Sequence, residues 1–191
     1  MARNIEIEAK SMINEEDYNL LLNDLVNEYP SYEQVNYLIH PIYLPLSDKS
    51  VACRMRVKPN VIEFTLKINL DEGKLEINQD LSKEEINNFL NNHIVPKGEI
   101  YDECLKRNLC NPEDLRVFAT LKTTRIDIQE EDYLISIDKN EYLGRVDYEV
   151  ECESSSMEKA EKYLKEFLNK KNIPFKRNTN SKLKRVKNAL I

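Results

Sequence analysis

Polar and apolar residues alternate along many short stretches of this chain, starting at residue 4. Residues 4–10 place Glu6, Glu8 and Lys10 on one face of a predicted strand and apolar residues on the other. Two like charges in one row repel each other unless a cation lies between them, and a divalent metal ion is the usual solution. An edge strand with one face in water explains the same pattern, so this stretch alone leaves both interpretations open.

A charged face recurs on the later predicted strands, and this recurrence favours a shared site over isolated edge strands. Strands are predicted near residues 34–43, 51–58, 62–68, 74–80, 115–128, 133–138 and 145–153. Their charged or polar faces carry Arg54, Arg56 and Lys58; Glu63, Thr65 and Lys67; Lys74, Glu76 and Asn78; Ser136 and Asp138; and Arg145, Asp147, Glu149, Glu151 and Glu153.

The stretch from Leu115 breaks the simple alternation. Polar residues occupy even positions up to Thr124, whereas Arg125 and Asp127 are polar at odd positions. This shift predicts a β-bulge near Thr124, which would let Lys122 and Arg125 face the same way. In a regular strand only one of the two side chains can do so.

Helices are predicted between the strands from apolar spacing and capping residues. Asn14 is expected to cap a helix over 15–29, and a helix is expected near residues 99–107. Ser82 with Glu85, and Ser155 with Glu158, form predicted capping boxes for two further helices, the second reaching about residue 172.

Strands with one apolar and one ionic face restrict the fold. Ionic faces cannot be buried in a sandwich, because each unpaired buried charge costs several kcal/mol. A closed antiparallel barrel satisfies the pattern, with apolar faces outward against helices and ionic faces lining a wet lumen. We therefore predict an α+β fold with an eight-stranded antiparallel closed β-barrel and helices outside it and at its ends. Acids and cations lining one lumen suit an anionic ligand held together with metal ions.

Composition limits the remaining alternatives. The chain has 191 residues, 41% hydrophobic and 32% charged, which predicts a single domain over residues 1–191 with some charge in a cavity. The net charge of −6 argues against nucleic acid or an anionic membrane as a partner. No stretch approaches the roughly 18 apolar residues of a membrane-spanning helix, and no signal segment is evident, so we expect a cytoplasmic protein.

The segment 176–191 carries six cations and no acid. A solvated tail is the usual fate of such a run. Leu183, Val186 and Leu190 give it a weak apolar stripe, so a docked final helix is the alternative.

Cysteine and histidine chemistry is not indicated. The four cysteines show no close pairs of the kind that bind zinc and are too sparse for a disulfide scaffold. Cys53 and Cys152 alternate with charged residues in predicted strands, so we expect these two to pack as small apolar groups. His40 and His93 have no evident triad partner, which favours surface or incidental histidines.

Short motifs spread over nearly the whole chain have the order and spacing of a known family. They are Glu6-Ile-Glu8-Ala-Lys10, Asn36-Tyr37, Arg54-x-Arg56, Thr65-x-Lys67, Glu76, the segment from Lys122 to Arg125, Asp138, Leu143-Gly144, Tyr148-Glu149-x-Glu151 and Ser181-Lys182-x-x-Arg185. This set resembles the CYTH superfamily, the triphosphate tunnel metalloenzymes, and is most similar to its compact bacterial single-domain members.

The resemblance implies an eight-stranded tunnel in which triphosphates are hydrolysed or rearranged with Mg²⁺ or Mn²⁺. The implied metal ligands are Glu6, Glu8, Glu149 and Glu151, with Asp138 and Glu76 as further acidic candidates. The implied phosphate ligands are Lys10, Arg54, Arg56, Lys67, Lys122, Arg125, Lys182 and Arg185. The implied catalytic set is Glu6, Glu8, Lys10, Glu149 and Glu151.

The predicted function is metal-dependent hydrolysis of a triphosphate-containing small molecule: inorganic triphosphate, a nucleoside triphosphate or thiamine triphosphate. A class IV-type adenylate cyclase ranks lower, because such cyclases carry a His-Phe pair where this chain has Asn4-Ile5. A non-catalytic module that binds polyphosphate or a triphosphate is the third reading. A homodimer is compatible with the sequence, which does not determine the oligomeric state.

Overall fold

The alternating stretches form strands in the computed structural model, which describes residues 2–45, 51–71 and 73–191. The strands are β1 (Ala2–Glu6), β2 (Glu8–Ile13), β3 (Tyr32–Pro41), β4 (Ala52–Val57), β5 (Ile62–Asn69), β6 (Lys74–Asp80), β7 (Leu115–Gln129), β8 (Leu134–Tyr142) and β9 (Arg145–Glu153). The helices are α1 (Glu15–Leu25), α2 (Lys83–Asn92), α3 (Glu99–Lys106), α4 (Met157–Lys170) and α5 (Lys182–Leu190).

The predicted antiparallel α+β class is confirmed, but the described residues form nine strands where eight were predicted. The extra strand arises at Ile7, where the first predicted strand divides into β1 and β2. The chain separates into two compact units. The first unit contains Met1–Ile5, Val35–Leu121 and Leu183–Ile191, and the second contains Glu6–Gln34 and Lys122–Lys182.

In the first unit the strands follow the order β1-β6-β5-β4-β3. The apolar residues of β4 and β5 point to one face, where Met55, Phe64 and Leu66 are completely buried. Ile86 and Phe89 of α2 and Ile100 of α3 belong to the same core. Residues of opposite parity on these strands carry the charges, so the period-two pattern separates the core from the ionic face.

In the second unit the order is β7-β8-β9-β2. The apolar face of these strands packs against α1 and α4, and its core includes Leu21 of α1 and Leu164 of α4, both completely buried. Helices therefore cover the apolar face of the sheet in each unit, as the charge pattern predicted.

The bulge predicted near Thr124 is wrong. From Lys122 to Gln129 every residue of β7 pairs with one residue of β8 in unbroken register. Odd-numbered Arg125 is buried although it is charged, so the shift in polarity reflects a buried ion and no extra residue. Lys122 and Arg125 therefore point to opposite faces.

The helix ends differ modestly from the predictions. The capping box of Ser82 and Glu85 is present, and the Asn14 side chain accepts a hydrogen bond from the Asp17 backbone N–H. Helix α1 ends at Leu25, four residues earlier than predicted, and the following residues form turns. The predicted box at Ser155 is wrong, since Ser156 is the N-cap of α4.

Segment 176–191 contains α5, in which Val186 and Lys187 are buried. No helix in the described part of the chain combines the length and the apolar character needed to cross a bilayer.

We expect Leu164→Ala to lower the free energy of unfolding by about 2–5 kcal/mol, because it removes a completely buried side chain from the core of the second unit. Urea unfolding followed by circular dichroism measures the change. The matched control is Leu20→Ala on α1, whose leucine is exposed and whose loss is expected to cost well under about 1 kcal/mol. Equal losses in both variants would contradict this packing.

Candidate functional site

Strand register in the second unit brings opposite charges into adjacent positions. A two-residue turn joins β8 to β9, with Leu143 at φ 48° and Gly144 at φ 71°. Two consecutive positive φ values match the twist of the flanking strands. This register sets Asp138 opposite Glu149 on β9, and Arg125 of β7 pairs with Asp138 from the other side.

Lys182 lies among three carboxylates of the second unit. Its Nζ is 2.8 Å from Asp138 Oδ2, 2.7 Å from Glu149 Oε1 and 2.8 Å from Glu151 Oε1. The side chains of Asp138 and Glu149 are inaccessible to solvent, and that of Glu151 is nearly so. A carboxylate buried this deeply requires a cation or several donors nearby, and Lys182 supplies one.

Arg125 and Lys10 supply the remaining positive charge. Arg125 donates from Nε and Nη2 to the two oxygens of Asp138, both at 2.6 Å, and from Nη2 to Glu151 at 2.8 Å. Lys10 forms ion pairs with Glu8, at 2.8 Å, and with Glu151. A bidentate Arg–carboxylate pair fixes the orientation of the carboxylate and also compensates its charge, so Arg125 holds Asp138 in place.

This network keeps its acids ionised. Burial by itself would raise the pKa of Asp138, but Arg125 and Lys182 outweigh it and lower that pKa below its usual value. Burial likewise opposes ionisation of Glu151, and Lys10, Lys182 and Arg125 hold its pKa well below the usual range. The neighbouring acids raise the pKa of Lys10 despite its burial. At neutral pH Asp138, Glu151 and Lys10 are therefore charged.

A second group of acids lies in the same unit. Carboxylate oxygens of Glu6, Glu8 and Glu153 lie within 4.8 Å of one another. Burial, followed by the charges of Glu6 and Glu8, raises the pKa of Glu153 to about 7. Like charges are thus crowded here, and a divalent cation would relieve their repulsion.

Both groups fit a divalent metal ion by the chemistry of their donors. Asp138, Glu149 and Glu151 also offer oxygens within 4.8 Å of one another. Mg²⁺ and Mn²⁺ prefer carboxylate oxygens, and three converging carboxylates leave coordination positions for water or substrate.

The first unit carries its own ionic row. Lys67 Nζ is 2.7 Å from Glu76 Oε2, and Asn78 Nδ2 donates to Glu76 Oε1 at 2.8 Å. Arg56 Nε donates to Asn36 Oδ1 at 2.9 Å. Arg54 Nε is buried and has no hydrogen-bond partner within the described residues. A buried guanidinium donor without a partner is suited to an oxygen of an anionic ligand.

The predicted site residues are therefore placed as follows. Within the second unit, one ionic network joins Glu8, Lys10, Arg125, Asp138, Glu149, Glu151 and Lys182, and Glu6 groups with Glu8. Within the first unit, Arg54, Arg56, Lys67 and Glu76 share one face, and Arg185 is half-buried on α5. Lys122 is not part of the network, since it pairs with Glu33 and is 44% exposed.

The sequence interpretation did not assign to the site two residues of the second unit that lie beside the predicted acids. Glu153 joins Glu6 and Glu8, and Asn140 donates to Glu149 Oε1 at 3.0 Å. Both could have been found from alternation, because Glu153 shares parity with Glu151 and Asn140 shares parity with Asp138.

The interpretation of His40 as a surface or incidental histidine needs correction. His40 is 4% exposed, with Nε2 3.0 Å from the Pro45 carbonyl oxygen and Nδ1 3.3 Å from Lys187 Nζ. His93 is exposed and ends α2 in the left-handed conformation. Cys53 and Cys152 are buried free thiols, as expected, and Cys104 and Cys110 are buried and free as well.

Comparisons with known proteins show which proteins this chain resembles. The chain matches the CYTH domain over residues 4–186. It is 30% identical over 186 residues to “Putative triphosphatase YjbK” of Bacillus subtilis (strain 168), covering 97% of this chain and 95% of that protein.

Two solved structures with the same fold are described by different activities, one as a cyclase and the other with a dominant triphosphatase activity. One, from Bacillus halodurans, is described as a “putative adenylate cyclase”; it is 33% identical, with a TM-score of 0.84 over 97% of this chain and 98% of that one. The other, HpAC1 from Hippeastrum, is described as a “putative adenylyl cyclase” with a dominant triphosphatase activity. It is 20% identical with a TM-score of 0.82 over 97% and 96% of the chains, a likeness of fold.

We expect Glu76→Gln to lower the free energy of unfolding by about 1–2 kcal/mol at pH 7. Burial opposes ionisation of Glu76, but Lys67 and Arg54 lower its pKa from 4.5 to about 2. A lowered carboxyl pKa stabilises the folded state above pH 4.5, and that stability is lost as the pH falls toward 2.

Urea unfolding of wild type and Glu76→Gln at pH 7, 5 and 3 measures the effect, and the difference should shrink as the pH falls. Glu166→Gln, at an exposed position of α4, is the matched control. A difference that grows with acidity would show that the Glu76–Lys67 pair has been interpreted wrongly.

Proposed function

The chain belongs to the CYTH domain family, and from this premise we propose that it hydrolyses the terminal phosphoanhydride of a triphosphate-containing small molecule with the help of Mg²⁺ or Mn²⁺. The family match and the triphosphatase name of the Bacillus subtilis relative support triphosphate chemistry. Inorganic triphosphate, nucleoside triphosphates and thiamine triphosphate are the candidate substrates.

One observation carries the proposal: buried carboxylates and buried cations of the second unit contact each other directly. Asp138, Glu149 and Glu151 provide oxygens for a metal ion, while Lys10 and Lys182 provide ammonium donors in contact with the same oxygens. A site for metal alone needs no buried lysines, and a site for anion alone needs no cluster of acids. A metal–polyphosphate ligand needs both.

The proposed metal ligands are Glu6, Glu8, Asp138, Glu149 and Glu151, and we add Glu153 because its carboxylate oxygen lies within 4.8 Å of those of Glu6 and Glu8. A bound divalent ion would neutralise phosphate oxygens and lower the pKa of coordinated water. Glu76 is a weaker candidate, because its two oxygens are bonded to Lys67 and Asn78.

The proposed role of the cations is to hold phosphate oxygens and stabilise the charge that develops on the leaving phosphate group. Lys10 and Lys182 can exchange a carboxylate for a phosphate oxygen because a lysine ammonium on its flexible stem donates in several directions. Arg54 has a donor without a partner within the described residues. Arg56, Lys67, Arg125 and Arg185 remain predicted phosphate ligands, whereas Lys122 lies on the face opposite Arg125 and pairs with Glu33.

Catalysis in this proposal needs no nucleophilic side chain. A water molecule attacks the terminal phosphorus in line with the leaving oxygen, and a carboxylate of the acidic clusters accepts its proton.

The second candidate function is an adenylate cyclase, favoured by the description of the 33% identical Bacillus halodurans structure. Cyclisation needs the ribose 3′-hydroxyl in line with the α-phosphate and releases pyrophosphate. Hydrolysis of the terminal anhydride releases orthophosphate. The products therefore separate the two functions.

We expect the purified protein to release orthophosphate from at least one of tripolyphosphate, ATP and thiamine triphosphate when Mg²⁺ or Mn²⁺ is added. Release should fall to background after EDTA treatment and return when metal is restored. Malachite green detection of phosphate, with chromatography for cyclic AMP and a coupled assay for pyrophosphate, identifies the reaction. Cyclic AMP with equimolar pyrophosphate would establish the cyclase instead, and no product from any substrate would remove both enzymes.

We expect Glu8→Gln to lower kcat on the order of 100-fold, because it removes one proposed metal ligand while preserving side-chain shape. Glu16→Gln is the matched control, an exposed glutamate on α1 outside the site. Steady-state phosphate release and tripolyphosphate affinity by calorimetry should be measured on both. Unchanged turnover in Glu8→Gln would contradict its role, and a module that only binds would keep or gain affinity.

A further inference from the structure

Lys182 lies among three buried carboxylates that converge on its ammonium group. Its ammonium is 2.7–2.8 Å from one oxygen each of Asp138, Glu149 and Glu151. Those three residues are also the buried group whose oxygens converge within 4.8 Å. Within the described residues, Lys182 contacts all three of these acids.

We propose that the Lys182 ammonium and a divalent cation bind alternately at Asp138, Glu149 and Glu151, so that Lys182 blocks this metal position until its side chain moves out. The proposal rests on the function proposed above and adds a regulatory contact to it. Without metal, the Lys182 ammonium compensates the charge of the three carboxylates, and it leaves them when a divalent cation binds.

The two cations exclude each other because both would be held by the same three carboxylates. Bonds from oxygen ligands to Mg²⁺ are about 2.0–2.1 Å long, so an ion held by these acids would be crowded by an ammonium that kept its contacts with them. Repulsion between a divalent ion and a lysine at that distance is strong where water is excluded. One of them has to leave.

Lys182 is the cation that can leave. It contributes a single flexible stem, it is the first residue of α5, and residues 178–181 before it have no regular secondary structure. Arg125 is held differently, since it belongs to the middle of β7 and binds Asp138 through two nitrogens. Exchange at Lys182 leaves Arg125 and the strands in place.

In the proposed reaction, the displaced ammonium can bind phosphate oxygens of the substrate. Lys182 is a predicted phosphate ligand, and phosphate oxygens of a metal–triphosphate complex would replace its lost carboxylate contacts. Metal and triphosphate would therefore promote each other's binding, because each makes the movement of Lys182 less costly.

The test is Mn²⁺ binding to metal-free protein without substrate, measured by titration calorimetry and by electron paramagnetic resonance of free Mn²⁺. We expect Lys182→Met and Lys182→Gln to bind Mn²⁺ about tenfold more tightly than wild type, because the competing ammonium is gone. Lys182→Arg should bind no more tightly than wild type. Lys170→Met, an exposed lysine of α4, is the control and should match wild type.

Thermal unfolding supplies a second readout that tolerates a destabilised variant. Without metal, Lys182→Met should melt at a lower temperature than wild type, because three buried acids lose a counter-ion. Saturating Mn²⁺ should raise its melting temperature more than that of wild type. Equal or weaker Mn²⁺ binding in both neutral variants, or an equal thermal shift, would overturn the proposal.

These measurements are independent of turnover. Wild type that binds Mn²⁺ but releases no phosphate would contradict the proposed function and leave the exchange to be judged by the binding data. Active enzyme in which Lys182→Gln binds Mn²⁺ like wild type would retain the function and refute the exchange.

Discussion

The ionic network of the second unit depends on one constraint: carboxylates withdrawn from water stay charged only if cations contact them. Asp138, Glu149 and Glu151 are almost completely buried, and Lys10, Arg125 and Lys182 contact them directly. Removing one partner from such a network costs more than the pair contributes, because an uncompensated buried charge remains. Such a network is therefore an inefficient way to stabilise a fold. Its presence favours a ligand that is bound by carboxylates and cations together.

The strands make this arrangement possible, because the sheet of each unit separates an apolar environment from an ionic one. In each unit the apolar residues of successive strands meet helices on one face, and the ions occupy the other. The turn at Leu143–Gly144 illustrates how local geometry sets the site, since a shift of one residue would turn Asp138 and Glu149 toward the helices. Register and charge placement are thus consequences of the same pattern.

Much of this site was predictable from the period-two pattern, because it assigns faces without knowledge of the fold. Glu6, Glu8 and Lys10 at one end of the chain, and Glu149 and Glu151 at the other, were identified in this way. The pattern fails at Arg125, because it treats a buried position as an apolar one. The ion pair with Asp138 allows the guanidinium of Arg125 to be buried. The shift of polar residues from even to odd positions therefore looks like a bulge, although the strand is regular. Division of the first strand at Ile7 and burial of His40 beside Lys187 depend on contacts distant in sequence, which alternation does not encode.

The same cations that stabilise the acids also explain how a site with so many carboxylates could accept a polyanion. Each phosphate oxygen that enters can take over a donor from a carboxylate, and each carboxylate so released becomes free to bind metal. The metal ion and the phosphate oxygens would bring charges of opposite sign, so each incoming charge would find a partner and the unfavourable transfer of an isolated ion from water would be avoided. Lysines suit this exchange better than arginines, because an ammonium can turn on its stem whereas the fork of Arg125 is held by both oxygens of Asp138. The proposed function therefore implies a division of labour, in which Arg125 would position the acids while Lys10 and Lys182 would move between acid and substrate.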